Sequence, residues 1–487
     1  MILGVSLMFI AVSLFIIWII MSEMVSKWYD KWDDKNNFVP AITQLDPNSI
    51  HLINRANFGP KLEWLNGDNT IILGDLDTTQ KWLFETIDAY HPVSRRNEYS
   101  FIFEEEQSDQ SRIRKHAPIE GLIFDWVSIM VSSPNPLREI VALFWHHHIP
   151  CGNVGNFEYN KLLLEIYRKH GLGKLRPLIT KIAANPAMML WLSASWSHKD
   201  NPNENFPREL MELFLLGEGH YSYQDVKEVS KAFTGRRTDY TNYPYKMYLE
   251  ENAFDNSNKT LFGKTGNWKD EDVIDIILRE YQTARHISRS ALIFFLGQVP
   301  SNNYLDECAK VYYNSGYKFK SLLKQIFCSS WFYSPDYLNN KVKTPVELLV
   351  SLQRKTGMRC VGIKTANYFL RFCGQRLFRP PTVAGWPVGE EWLAGSDLIN
   401  RVFLPDVLLK IANRANQKET YRYKISSRVK YHDLRHFRYS WDSIFNEALF
   451  ENTLKENRIK PSYWMLNIEM NNQDLSNIIT RPEYQYS

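Results

Sequence analysis

Cysteine is scarce in this 487-residue chain: Cys151, Cys308, Cys328, Cys360 and Cys373 are odd in number, widely spaced and never in a CxxC arrangement. That pattern excludes a disulfide framework and a structural zinc site of ordinary spacing. A surplus of one charge is missing too. Lys and Arg number 58 against 54 Asp and Glu, a formal net charge of +4, so the composition suggests no polyanion-binding field as the main activity and nucleic acid is not an expected partner. GxSxG, Walker A, GxGxxG and HExxH fingerprints are absent, as is the ExxH of di-iron bundles. Their absence removes the common serine-hydrolase, NTPase, dinucleotide-binding and metal-bundle readings.

What is present begins with an apolar run, MILGVSLMFIAVSLFIIWIIM, at residues 1–21. As a helix rising 1.5 Å per residue it spans roughly 31 Å, the thickness of a bilayer core. It has no basic leader and no small-residue cleavage site, so the expectation is a retained single-pass membrane anchor rather than a signal peptide. Residues 22–48 mix charge with aromatics and proline and read as a stalk. Lys27, Lys31 and Lys35 follow the run, which by the positive-inside rule favours a cytoplasmic domain.

From about residue 49 the pattern is helical. Apolar residues recur at three and four spacing through 121–131, 136–146, 161–170, 175–184, 206–217, 223–234, 270–280, 284–296, 303–314, 319–328 and 346–355, with Gly and Pro between. Ser222 and Asp225 form a capping box, and Gly235 marks a stop. Residues 236–268 lose the period and read as a long excursion, with a small hairpin at YKMYLE. No series of strands or fixed-period repeat emerges, so the class is mainly α, one large multi-helix domain over 49–487 whose 417–487 tail is poorly determined.

The densest stretch is NPNENFPRELMELFLLGEG at 201–219. A helix capped by Asn205 and opened by Pro207 carries apolar residues around most of its girth, leaving one arc for Arg208, Glu209 and Glu212. Carboxylates in a low-dielectric interior need a network, a metal or a wet cleft. Glu204, Arg208, Glu209 and Glu212, flanked by Asn203 and Asn205, are therefore the candidate acid–base group. The competing reading is a buried ion-pair network in which Arg208 bridges Glu204 or Glu212.

His146, His147 and His148 end the helix LREIVALFWHHH. His146 and His148 converge on a divalent transition metal only if the helix unwinds before Pro150, since residues two apart point about 200° away from each other; otherwise the histidines cap carbonyls. The loop RPPTVAGWPVGEEWL at 379–393 presents Trp386 and Trp392 either as sugar-stacking platforms or as a plug that fills the core.

Several blocks, HLINRANFGP, FWHHH, NENFPRELMELF, KTLFGKTGNW, KTPVELLV and GQRLFRPPTVAGWPVGEEW, occur in the order found in a bacterial family known as domain of unknown function 1800. The chain resembles that family from residue 49 to about 410. It departs from the family where His147 replaces Asn, Pro207 replaces Ala and Arg236 replaces Trp. The resemblance implies a helical, often exported protein encoded beside a sulfatase-like partner family, which moves the expected domain to the extracytoplasmic side against the lysine count. The combined expectation is a membrane-anchored envelope protein. It is either an enzyme acting on a glycan or other polymer through a carboxylate and histidine site, or a non-catalytic scaffold.

Overall fold

Capping chemistry sets where the first helices begin. Asp46 accepts from the backbone N–H groups of Asn48 and Ser49 and opens α1 (Pro47–Ala56), and Asp75 opens α2 (Leu76–Glu85) through the N–H of Thr78. Each carboxylate satisfies donors that a helix start leaves without intrahelical partners. The computed structural model describes residues 46–61, 74–86, 119–152, 154, 156–241, 245–356, 363–393, 400–401 and 408. The membrane anchor expected at 1–21, the stalk up to residue 45 and the 417–487 tail lie outside these residues. Among the described residues no helix is long and apolar enough to cross a membrane.

The chain continues as α3 (Ile119–Ser132), α4 (Leu137–His148), α5 (Phe157–His170), α6 (Leu175–Ala183) and α7 (Pro186–Trp191). Next come α8 (Asn205–Glu209), a π-helical turn (Leu210–Leu215) and α9 (Tyr223–Ala232). The excursion holds two antiparallel hairpins. In one, β1 (Arg236–Asp239) pairs with β2 (Lys246–Leu249), Arg236 opposite Leu249; in the other, β3 (Lys259–Leu261) pairs with β4 (Lys264–Gly266). The second hairpin turns on Phe262 and Gly263, both at positive φ (47° and 74°), the type I′ geometry whose twist matches the flanking strands. The rest is α10 (Asp270–Ile277), α11 (Tyr281–Leu296), α12 (Asn302–Asn314), α13 (Phe319–Cys328), α14 (Pro345–Thr356) and α15 (Ile363–Phe372). The class is mainly α, as the periodicity predicts, with the YKMYLE hairpin in place and the KTLFGKTG hairpin added.

One apolar core runs through these helices. α11 packs along α12, α12 against α13, and α4 against α5, with Trp126, Trp145, Phe144 and Phe295 buried among them. Each such side chain contributes roughly 1.5–3 kcal/mol through lost apolar exposure. Several helices end inside this core, where water cannot meet their last carbonyls. Charged side chains from distant parts of the chain meet them instead. Arg55 donates to Leu296 O at the end of α11 (3.4 Å). Arg354 donates to Met130 O and Val131 O at the end of α3 (3.2 Å each) and to Ser133 O (2.8 Å). Arg236 donates to Ala183 O, the last residue of α6 (2.8 Å). These guanidinium groups are buried, and each combines a hydrogen bond with a cation at the negative end of a helix.

Candidate functional site

The helix with the carboxylates differs from the single α-helix that its spacing predicts. Asn205 is its first residue rather than its cap. Glu204 holds the cap position, but its side chain does not cap the helix N–H groups, and Asn203 Oδ1 accepts from the N–H of Asn205 (2.9 Å). After Glu209 the backbone widens into the π-helical turn. The N–H of Leu216 reaches Met211 O (2.8 Å), and that of Gly217 also goes to Met211 O (3.2 Å). In an α-helix the Gly217 N–H would have taken Leu213 O. That carbonyl instead accepts from His286 Nε2 (2.8 Å), Phe214 O accepts from His148 Nε2 (2.9 Å), and Leu216 O accepts from Gln282 (3.0 Å). Three side chains from α11 and α4 thus hold the turn open.

The charged arc is half-exposed, not sealed in the core. Arg208 Nη2 donates to Glu204 Oε2 at 2.8 Å, with 39% and 30% of the two side chains exposed. Tyr223 OH donates to Glu204 Oε1 (3.3 Å), and the Arg208 guanidinium lies 5.8 Å from the Tyr223 ring centroid. A pair this exposed contributes about 0–1 kcal/mol, so the expected buried network is replaced by a wet surface cluster. Glu212 and Glu209 are both half-buried. Glu212 Oε2 accepts from Tyr221 OH at 2.6 Å. Burial, and then the neighbouring Glu212 charge, raise the pKa of Glu209 above the usual carboxylate range, with Arg208 opposing. Burial and the bond to Glu212 push the Tyr221 phenol up, so it serves as the donor.

The histidine corner does not unwind. α4 runs through His148, and the imidazoles diverge. His146 is buried, takes the N–H of Phe378 on Nε2 (3.0 Å), and packs between Trp126, Phe378 and Trp386. His148 stacks on Phe144 and sits 5.6 Å, centroid to centroid, from His286. A metal shared by His146 and His148 is therefore not supported, and among the described residues no group of three or more His, Cys, Asp or Glu comes within ligand range. The capping alternative is closer to the geometry, except that His148 caps the π-helical turn and not its own helix. Burial, followed by the charge of neighbouring histidines, lowers His146 and His148 to about 3. Burial lowers His147 to about 4, with Glu347 opposing. The charges acting on His148 are those of other histidines, so the carboxylates and imidazoles do not form one electrostatic site.

Trp386 and Trp392 fill a small core with Val342, 5% and 2% exposed. The Trp loop is thus a plug that closes over His146 and His147, and the sugar-platform expectation is overturned for both residues. Gly385 makes that approach feasible: at φ 92° its α-carbon faces His147 O, where a Cβ would come within 2.6 Å. The exposed indole is elsewhere. Trp196 is 78% exposed, and its neighbour Ser197 accepts the N–H of Asn203 on Oγ (3.1 Å), which places Trp196 beside the start of the carboxylate helix. The periodicity gave no sign of it, but its polar setting, SASWSHKDN, did. An apolar ring surrounded by Ser, His, Lys and Asp has little core to enter.

No curated protein and no solved structure matches this chain. A family model described as "Protein of unknown function (DUF1800)" matches residues 51–486. The blocks that carry that resemblance meet at these junctions: FWHHH supplies His148, one of the three caps, NENFPRELMELF most of the π-helical turn, and the Trp loop the plug. The chain belongs to this DUF1800 family.

Proposed function

We propose that the chain is a membrane-anchored enzyme of the bacterial cell envelope that acts on a glycan or other polymer, with Glu209 as proton donor and Glu212 as proton acceptor. The observation that carries this reading is the carboxylate pair at the π-helical turn. Glu209 holds its proton more readily than a free carboxylate, while Glu212 is fixed by Tyr221 OH at 2.6 Å. Two carboxyl groups held in different surroundings, one partly desolvated and one bonded to a phenol, are arranged to divide acid and base roles. A π-helical turn also sacrifices regular hydrogen bonding and recurs at functional sites. Trp196 offers a stacking face for a sugar ring beside the group, and Arg208, Glu204 and Asn203 offer polar contacts around it. The apolar run at 1–21, read as an anchor, and the export tendency that the family resemblance implies argue for the envelope location.

The test uses Glu209→Gln and Glu212→Gln, assayed by release of reducing ends from purified envelope polysaccharide and by rescue of a deletion strain. An enzyme loses about 10²–10⁴-fold in rate in either variant, while both stay folded with Tm within about 2 °C of the parent. Full activity in both variants rejects the acid–base assignment. A fall in Tm that accounts for the loss transfers the role to the alternative, a non-catalytic scaffold or partner-binding module.

A further inference from the structure

Between Glu347 and Glu390 the sequence contains no acidic residue and seven basic ones, in a chain whose net charge is only +4. The stretch is a local surplus of positive charge. Part of it is used within the fold: Arg354 closes the end of α3, and Arg376 pairs with Glu120 at 2.7 Å. Arg371 stays exposed on α15. That helix packs on α3 and α14, with Ala366, Phe369, Leu370 and Cys373 buried. Its outer stripe is apolar as well. Tyr368 and Phe372, one turn apart, are 54% and 47% exposed, and their rings stack with centroids 6.0 Å apart at 25°. Positions 364, 368, 371 and 372 follow the three and four spacing of one helix face, so Lys364 stands one turn before Tyr368. A helix buried on one side ordinarily turns polar residues to water on the other. Two aromatic rings flanking an exposed guanidinium mark a contact surface instead.

We propose that this face of α15 rests on an anionic lipid surface, with Tyr368 and Phe372 at headgroup depth and Arg371 on a lipid phosphate. Charge selects the sign of the surface, because the stretch that carries the face holds cations without a single carboxylate. The rings select its kind. Aromatic side chains settle where carbon meets headgroups, and a helix with basic and aromatic residues on its outer side lies in that layer. The inference rests on the reading of residues 1–21 as an anchor, and that tether favours lipid over a soluble partner. Residues 22–45, even fully extended, keep α1 within about 80 Å of the bilayer, so the face meets lipid at high effective concentration. Each cation brought to an anionic leaflet strengthens the contact roughly fivefold.

The test places the full-length chain in nanodiscs of phosphatidylcholine alone or with phosphatidylglycerol and reads ring accessibility by hydroxyl-radical footprinting. Trp196, 78% exposed, is the internal reference. Modification of Tyr368 and Phe372 relative to Trp196 is expected to fall at least about threefold in the anionic discs. The double variant Arg371→Glu, Lys364→Glu is expected to restore it while Tm stays at the parent value. Equal modification in both kinds of disc, or protection that survives the charge reversal, would overturn the proposal. Protection in phosphatidylcholine discs only on adding an acidic polysaccharide would assign the face to a polymer and overturn it too. Co-elution of chain and disc is scored separately. A chain that co-elutes with neither disc removes the anchor and this docking with it, whereas co-elution with undiminished modification removes the docking alone.

Discussion

At the scale of single residues, the imidazole of His148 has a measurable task. Its Nε2–H is the partner of Phe214 O, and His148→Ala leaves that carbonyl in a half-buried setting with nothing to accept from. A loss of roughly 1–3 kcal/mol is expected, read by chemical denaturation. A variant as stable as the parent would show that the contact contributes nothing. The histidine triplet was legible in the sequence as something unusual, and capping was among its readings. What could not be read was the recipient, because Phe214 lies 66 residues away and the pairing depends on how α4 and the carboxylate helix cross. The tryptophans show the same limit. Trp386 and Trp196 both lie outside the long helices, and although the polar neighbours of Trp196 hint at exposure, packing decides between a 5% exposed plug and a 78% exposed ring.

At the scale of elements, the π-helical turn depends on the glycine that ends it. Gly217 sits at φ 87°, and a Cβ there would lie 2.8 Å from His286 Nδ1. Gly217→Ala is therefore expected to combine left-handed strain with displacement of the His286 cap. The cost should exceed the ~1 kcal/mol of the backbone conformation alone, with Tm falling by more than about 1 °C, since the shift per kcal/mol shrinks as a domain grows. A Tm unchanged by Gly217→Ala would mean that the turn does not rely on this close approach. Helix positions were the most legible part of the chain: the periods over 319–328 and 303–314 match α13 and α12 within a residue, and the Ser222 capping box is formed as read. The π-helical turn was not legible. Its cause is competition for carbonyls by His148, His286 and Gln282, and an apolar period carries no record of hydrogen bonds made by another helix. The carboxylates were legible by type but not by depth, since Tyr221 and Tyr223 hold them near the surface.

At the scale of the whole molecule, the buried histidines set how the fold responds to acid. His51, His146, His147 and His148 titrate at about 2, 3, 4 and 3, all lowered chiefly by burial. Unfolded, each takes up a proton near pH 6.5. Between about pH 6.5 and 4 the unfolded chain thus binds more protons than the folded one, and stability rises with pH through that window. Full stability is expected above pH 6.5, with a loss on the order of several kcal/mol on descending to pH 4. Denaturation midpoints at half-unit pH steps provide the check, and a flat profile between pH 6.5 and 4.5 would contradict it. The same interior holds the arginines that close helix ends. Trypsin requires a basic side chain to enter its own specificity pocket, and Arg55, Arg236 and Arg354 are at most 2% exposed. Cleavage at these three positions must wait for local opening, so digestion at each one reports the lifetime of the helix end that it seals.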